Sequence, residues 1–331
     1  MKIYGEFEIN EITPQDMSPC DAFSVDAFKS GTGIGLGNFD GVHLGHAALL
    51  SLLQKNCEER GLVSVVYTFS NHPNKVLFKD RKTPLIMTSN QKAEIFEAKN
   101  IDIAFFEHFD KSYADMTAEN FIKEYLVKRF NAKLVVVGYN YSFGRKGAGD
   151  ADLLRRYGEK FGFDVIVVPP VMHGEKVISS TLLRSIIAEG KLNVYKDFTG
   201  RYYSIPGTVA VGRRVGHALG FPTANILPKD GFALPASGVY ATKTLIDGIF
   251  YDSATNIGNN PTFENIKDIT VETHLFDYNS ELYGKNIEVF FVGMIRSERG
   301  FENVELLKKQ ISIDIDTAKR MLLGVTIDGE V

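Results

Sequence analysis

Five short apolar runs, separated by stretches of helical periodicity, constrain the chain up to Gly190 more than any other feature. They fall at residues 34–36, 63–69, 101–106, 134–137 and 164–168. Leu134-Val135-Val136-Val137 is apolar without alternation, the pattern of a strand covered on both faces. Between the runs, Phe121, Ile122, Tyr125, Leu126 and Phe130 recur at helix spacing. Residues 47–53, 89–99, 150–161 and 180–189 also read as helices, with Ser89 as one cap. This alternation predicts an α/β unit: a parallel sheet with helices on both faces. The pattern changes near Gly190. Residues 188–200 read as a polar linker. From Arg201 onward, candidate strands at 207–211, 238–244, 249–257, 269–276 and 287–292 predict a small antiparallel β-barrel. Residues 304–323 read as a terminal helix with Leu306, Leu307, Ile311, Ile315, Ala318, Met321 and Leu322 inward. The expected domains are therefore 1–187 and 201–331.

Composition excludes several classes. A chain of 331 residues, 44% of them hydrophobic, has length for about two domains. A net charge of −4 gives no field that would gather nucleic acid. Cys20 and Cys57 are the only cysteines, too few for a disulfide framework or a cysteine zinc site, and they fit a reducing compartment. No signal-peptide pattern opens the chain, and no apolar run approaches the ~20 residues of a membrane span. A cytoplasmic protein, monomeric or weakly self-associating, is expected. The P-loop pattern is absent, and the glycines at 31, 33, 35 and 37 do not make the dinucleotide fingerprint.

The chemistry of the first half centres on Gly37-Asn38-Phe39-Asp40-Gly41-Val42-His43-Leu44-Gly45-His46. It lies between a predicted strand and a predicted helix. Helix N-termini favour anions, glycines let backbone approach a phosphate, and two imidazoles can stabilise charge on a departing pyrophosphate. Either histidine alone would read as a capping residue. Other polar segments also follow strands: His72 after the second run, Asn140 within residues 138–144, and Ser180, Thr181 and Arg184 at the opening of the last helix. In open parallel sheets, ligands bind beyond these strand ends.

In the second half, Gly212, Gly216 and Gly220 with Arg213 and Arg214 read as a phosphate-covering flap. Thr223 and Asn225, two apart in extended backbone, share a face and offer hard oxygens to Mg²⁺ beside a triphosphate. Glu272 and His274 share a strand face, and Glu272 is a candidate general base toward a substrate hydroxyl. Arg296, Glu298, Arg299 and Phe301 form a charged, aromatic segment before the terminal helix, read either as a lid with Arg296 a candidate cofactor-binding residue or as a solvated connection.

Taken in order, these stretches resemble the bacterial bifunctional riboflavin kinase/FMN adenylyltransferase (FAD synthetase) family over nearly the whole chain. They are residues 37–46, 68–73, 137–144, 178–184, 207–225, 256–263, 271–278 and 310–318. The resemblance implies an N-terminal Rossmann-like nucleotidyltransferase domain and a C-terminal barrel of riboflavin-kinase type with a terminal helix. It implies ATP, riboflavin, FMN and FAD as substrates and products, and Mg²⁺ as cofactor. His43 and His46 match the phosphate-binding histidines, with Gly37, Phe39 and Asp40 in the same motif. Ser180, Thr181 and Arg184 match a second phosphate motif. Asn140 matches a flavin-side or nucleotide-side position. Thr223 and Asn225 match the Mg-ATP motif, and Glu272 the proposed base. The chain departs from the family pattern in having Asn140 where Asp is common, Tyr141 for Phe, and Asn260 for an arginine before Pro261-Thr262-Phe263. Two rival readings compete with this one. An adenylyltransferase for another metabolite, with a passive barrel, has no need of the flap, Thr223, Asn225 and Glu272. A tRNA-binding enzyme would share His-x-Gly-His, but the chain is mildly acidic and lacks Lys-Met-Ser-Lys-Ser.

Overall fold

The structure, a computed structural model, describes residues 1–5, 17–18, 28–78, 83–210, 219–228, 231–259 and 269–327. Contacts divide the chain into two compact units, Met1–Ser180 and Thr181–Gly329.

The first unit carries strands β1 (Lys2–Gly5), β2 (Met17–Ser18), β3 (Thr32–Leu36), β4 (Val63–Phe69), β5 (Ile103–Glu107), β6 (Ala132–Gly138) and β7 (Asp164–Val168). They form one sheet in the order β2-β1-β5-β4-β3-β6-β7, every pairing parallel. Its helices are α1 (Leu44–Arg60), α2 (Asn74–Leu77), α3 (Ser89–Ala98), α4 (Lys111–Ala114), α5 (Ala118–Asn120) continued by a wider π-helix over Phe121–Arg129, and α6 (Ala151–Phe161). A small hairpin, β8 (Met172–His173) with β9 (Lys176–Val177), precedes α7 (Ser180–Ala188).

β3 is buried along its whole length because α1 lies directly on it. That approach needs glycine. A Cβ on Gly33 would come within 2.2 Å of Cys57 Sγ, and one on Gly35 within 3.0 Å of Leu53. The cap of α3 corrects the sequence expectation. Thr88, not Ser89, caps it, in a reciprocal capping box with Gln91. The wet end of the sheet follows from its order. The chain runs β3, β4, β5 to one side and then returns to place β6 on the other side of β3. The loop after β3 is therefore at the topological switch point, flanked by the loops after β4 and β6.

The second unit begins with helices. Residues 188–200, expected as a linker, are largely helical: α8 spans Leu192–Thr199 and buries Leu192, Tyr195 and Phe198. It packs on two barrel strands. Lysines and Asp197 between the apolar positions hide this helix from a composition reading. The barrel is closed, in the order β10-β11-β14-β13-β12-β15, with every pairing antiparallel. Its strands are β10 (Tyr203–Ala210), β11 (Ala224–Pro228), β12 (Gly238–Ile246), β13 (Ile249–Asn259), β14 (Ile269–Leu275) and β15 (Asn286–Ser297). Closure removes free edges. β11 was not anticipated, because Pro222 and the preceding glycines masked its start.

The barrel interior holds a run of hydroxyls with no exposure: Thr242, Thr244, Ser253, Thr255 and Thr273. They bond to one another across β12, β13 and β14. Thr244 meets Ser253, Ser253 meets Thr242, and Thr242 meets Thr255, each at 2.8 Å, and Thr255 donates to Thr273 at 2.9 Å. The terminal helix, Val304–Leu322, buries Ala318 and Leu322 against Ala241 and Phe276. Its expected inner face is corrected at Leu306, which is 45% exposed, and a carboxylate, Asp314, is buried in the middle of the helix. Among the described residues, no helix is long and apolar enough to cross a membrane.

Candidate active sites

In the first unit the site is built on the turn between β3 and α1. Gly37 N–H donates to Tyr67 O at 3.3 Å, which carries the strand end past β4. The chain then turns through left-handed backbone at Phe39 (φ 50°), Gly41 (φ 84°) and Val42 (φ 30°). Two non-glycine residues in that region are strained and must be held there. Phe39 is fully buried, edge-on to Phe96 with centroids 5.5 Å apart. Asp40 is fully buried too. Its Oδ1 accepts the N–H groups of Ile86 and Met87 at 3.0 and 3.2 Å, and its carbonyl accepts Ser180 Oγ at 2.7 Å. Asp40 thus anchors the turn to the segment entering α3 and to the start of α7.

His43 caps α1, its Nδ1 accepting His46 N–H at 3.3 Å. The two imidazoles stack, with centroids 3.8 Å apart and planes 17° apart. Burial pushes His43 down to about 4, so the ring is neutral near pH 7. Because Nδ1 accepts, the ring proton is assigned to Nε2, leaving that N–H as a donor. The first turn of α1 contains no acidic side chain, so its N-terminal dipole is not answered by a carboxylate of its own. The result is a helix N-terminus beside a neutral imidazole donor, an arrangement of the kind that suits anions.

Ser180 opens α7 and is bonded to the turn. Arg184 is at i+4 from Ser180 and so shares its helix face, and Thr181 is its neighbour. Asn140 is exposed in the turn after β6, where Tyr141 N–H bonds back to Gly138 O at 3.1 Å. His72 is a turn residue, its Nδ1 accepting Asn74 N–H at 3.1 Å. Beside these loops lies an aromatic wall. Phe69 meets Phe109 and Tyr113 edge-on, and Tyr141 stacks on Phe143. Beneath it, Tyr67 Oη donates to Glu107 at 2.9 Å and reaches Tyr113 Oη at 3.2 Å. Burial raises the Glu107 carboxyl and the phenols of Tyr67 and Tyr113. The Glu107 cluster and the buried Lys92 escaped the sequence reading. Lys92 had a signal: it shares a helix face with Ala93, Ile95 and Phe96, where a lysine is out of place.

In the second unit, three outward-facing side chains stand in one row across adjacent strands. Glu272 on β14 pairs with Asn225 on β11 and with Asn256 on β13. Their chain neighbours Ala224, Ile226, Val271, Thr273, Thr255 and Ile257 point into the barrel. Thr223 is exposed and precedes this row by two residues, on the face of Asn225. His274, on the same face as Glu272, bonds Pro222 O through Nδ1 at 2.7 Å and so ties the Gly-Phe-Pro turn to β14. Gly220 in that turn is left-handed, φ 90°. Gly212, Arg213 and Gly216 lie outside the described residues, as does Asn260.

Arg296 is tied to the terminal helix. Its guanidinium is held by Asp314, Nε at 3.1 and 3.0 Å from the two oxygens and Nη2 at 2.8 Å. Gln310 Nε2 also donates to Asp314 at 2.7 Å, and Arg299 bonds Gln310. Arg296 and Arg299 both lie against Phe301. This network fastens the end of β15 to the terminal helix. Among the described residues, no group of three or more His, Cys, Asp or Glu could hold a metal ion.

Comparison with known proteins gives the same division. The family model for FAD synthetase matches residues 25–182, and that for riboflavin kinase matches residues 199–322. A bifunctional riboflavin kinase/FMN adenylyltransferase of Buchnera aphidicola subsp. Schizaphis graminum is 36% identical over 302 residues, 90% of this chain and 96% of that protein. The Escherichia coli K12 protein of the same name is 35% identical over 299 residues, 90% and 95% of the two chains. A solved structure from Streptococcus pneumoniae, described as a macrolide-efflux protein, is 29% identical with a TM-score of 0.79, covering 87% of this chain and 94% of that one. The chain belongs to the bifunctional riboflavin kinase/FMN adenylyltransferase family, with its FAD synthetase part first and its riboflavin kinase part second.

Proposed function

We propose that the first unit joins FMN to the adenylyl group of ATP at the β3–α1 turn, and that the second makes that FMN at the Asn225–Glu272–Asn256 row. In the first reaction a phosphate oxygen of FMN attacks the α-phosphorus of ATP. The new P–O–P bond makes FAD, and pyrophosphate leaves with the bond it loses. His43 Nε2–H, His46 and the N-terminus of α1 stabilise the charge that grows on the leaving group. Ser180 and Thr181 at the start of α7, with Arg184 one turn on, add donors to the phosphates. Asn140 and the aromatic wall of Phe69, Tyr113 and Tyr141 are placed for the flavin or the base. Since burial keeps His43 neutral, it acts by donating a hydrogen bond, not by giving up a proton.

In the second reaction the terminal ribityl hydroxyl of riboflavin attacks the γ-phosphorus of ATP, Glu272 takes the hydroxyl proton, and ADP leaves. Thr223 and Asn225 suit Mg²⁺: neutral oxygen donors, accessible, on one face, leaving room for phosphate oxygens and water. Bound there, the ion neutralises phosphate charge. The flap of Gly212, Arg213, Gly216 and Gly220 would close over ATP. Neither reaction needs a covalent nucleophile, so positioning and charge supply most of the rate.

The observation that carries this reading is the stacked pair of imidazoles at the α1 N-terminus, at the switch point of a parallel sheet. Incubation with riboflavin, Mg²⁺ and ATP, followed by chromatography, tests it. FMN and then FAD are expected. FMN alone would overturn the adenylylation half; FAD from supplied FMN but none from riboflavin would overturn the kinase half. Small molecules are the partners in this reading, without nucleic acid, in the cytoplasm and as a monomer or weak homo-oligomer. The negative net charge and the near absence of cysteine support it.

A further inference from the structure

We propose that Lys92 is a positioning residue of the adenylylation site: its buried ammonium fixes the peptide at the root of the histidine turn and binds the ends of β3 and β4 together. The inference rests on the adenylylation reading of the first unit.

Lys92 is 3% exposed, on the face of α3 that carries Ala93, Ile95 and Phe96 into the core. Its Nζ donates to Asn38 O at 2.9 Å and reaches Phe69 O at 3.5 Å. These carbonyls close two neighbouring strand ends: Phe69 is the last residue of β4, and Asn38 follows β3 by two residues. Asn38 O also accepts Thr68 Oγ1 at 3.0 Å. The peptide unit is rigid, so holding the Asn38 carbonyl sets the plane from which Phe39 departs. Phe39 is the first strained residue of the turn, and strain of that kind persists only where the surroundings over-determine it. α3 therefore grips the turn twice. The segment entering it holds the Asp40 carboxylate through Ile86 and Met87, and its own second turn holds Asn38 through Lys92.

Packing alone does not account for a cation here. A buried ammonium costs more than a methionine of similar length. What the charge adds is hydrogen bonding strong enough to hold a strained turn. Lys92 touches backbone carbonyls, so it acts through the turn.

The test uses the full chain with Lys92→Met, Lys92→Arg and Thr68→Val, measuring kcat and the ATP KM of FMN adenylylation, with riboflavin phosphorylation by the same preparations as internal standard. Lys92→Met is expected to lower adenylylation kcat/KM by about tenfold or more while phosphorylation stays within about twofold. Lys92→Arg should recover most of the loss, and Thr68→Val, which removes a neutral donor from the same carbonyl, should show a smaller loss of the same kind. Adenylylation within about twofold of wild type in Lys92→Met overturns the proposal, as does an Arg variant no better than the Met variant. Should Lys92→Met melt the first unit, Thr68→Val decides: unchanged kcat and KM of adenylylation overturns the hold on the Asn38 carbonyl as a determinant of the site, and a loss confined to adenylylation supports it. FAD formation from FMN by the unaltered chain reads the underlying function. Its absence overturns both; its presence with a fully active Lys92→Met overturns only the role of Lys92.

Discussion

At the scale of single residues, His43 carries the sharpest consequence. Its imidazole titrates near 6.5 in an unfolded chain and at about 4 in the fold, because the charged form cannot be buried there. Between these values the unfolded chain binds the extra proton, so this contribution to stability is complete above about pH 6.5 and is lost as pH falls toward 4. The difference corresponds to about 3 kcal/mol. Urea denaturation at pH 7 and pH 4.5 should show that slope in the wild type and less of it in His43→Asn. A phosphate anion at the site should draw the titration of His43 upward, visible as a shift of its ring C–H resonance on adding ATP. The histidine pair was legible in the sequence because glycines and strand and helix patterns bracket it. Its tautomer was not, since that depends on which backbone N–H reaches Nδ1. Arg296 was legible as a charge near the barrel, but not as the partner of Asp314, eighteen residues away on the terminal helix.

At the scale of elements, α1 on β3 is a close fit with one point of contact that can be tested. Gly33→Ala would push a methyl toward Cys57 Sγ, and overpacking of this kind costs about 1–3 kcal/mol. Cys57→Ala vacates that volume, so the double variant should melt above Gly33→Ala alone, with a coupling that a double-mutant cycle measures. In the barrel, Thr255→Val cuts the hydroxyl run between Thr242 and Thr273. It leaves the fully buried oxygens of Thr242 and Thr273 short of a partner, and should lower stability by about 1–3 kcal/mol by thermal melting. Thr273→Val, which removes only the terminal acceptor of the run, should cost less. Helices and strands with a strong period were legible one by one. α8 was not, because its apolar positions are few and become a face only when barrel strands meet them. β11 was not, because its pairing with β10 and β14, not its own residues, makes it a strand.

For the whole molecule, two sites on separate units predict separable activities. His46→Ala should abolish FAD formation from FMN and leave FMN formation from riboflavin intact, and Glu272→Gln should do the reverse. A mixture of the two variant chains should then convert riboflavin to FAD, with free FMN visible between the steps. Failure of either single variant to lose its own activity would remove that residue from its role. The order of motifs along the chain determined the family, the two kinds of unit, and the pairing of an adenylylation site with a kinase site. Those are properties of local pattern: strand period, helix period, and glycine-bracketed polar segments. Only the tertiary structure decided which groups stand together. The sheet order put the histidine turn at the switch point, barrel register set Glu272 between Asn225 and Asn256, and Lys92 and Asp40 became braces of one strained turn. Such contacts join residues tens of positions apart, and a side chain's role there depends on what the fold packs against it, which no local period records.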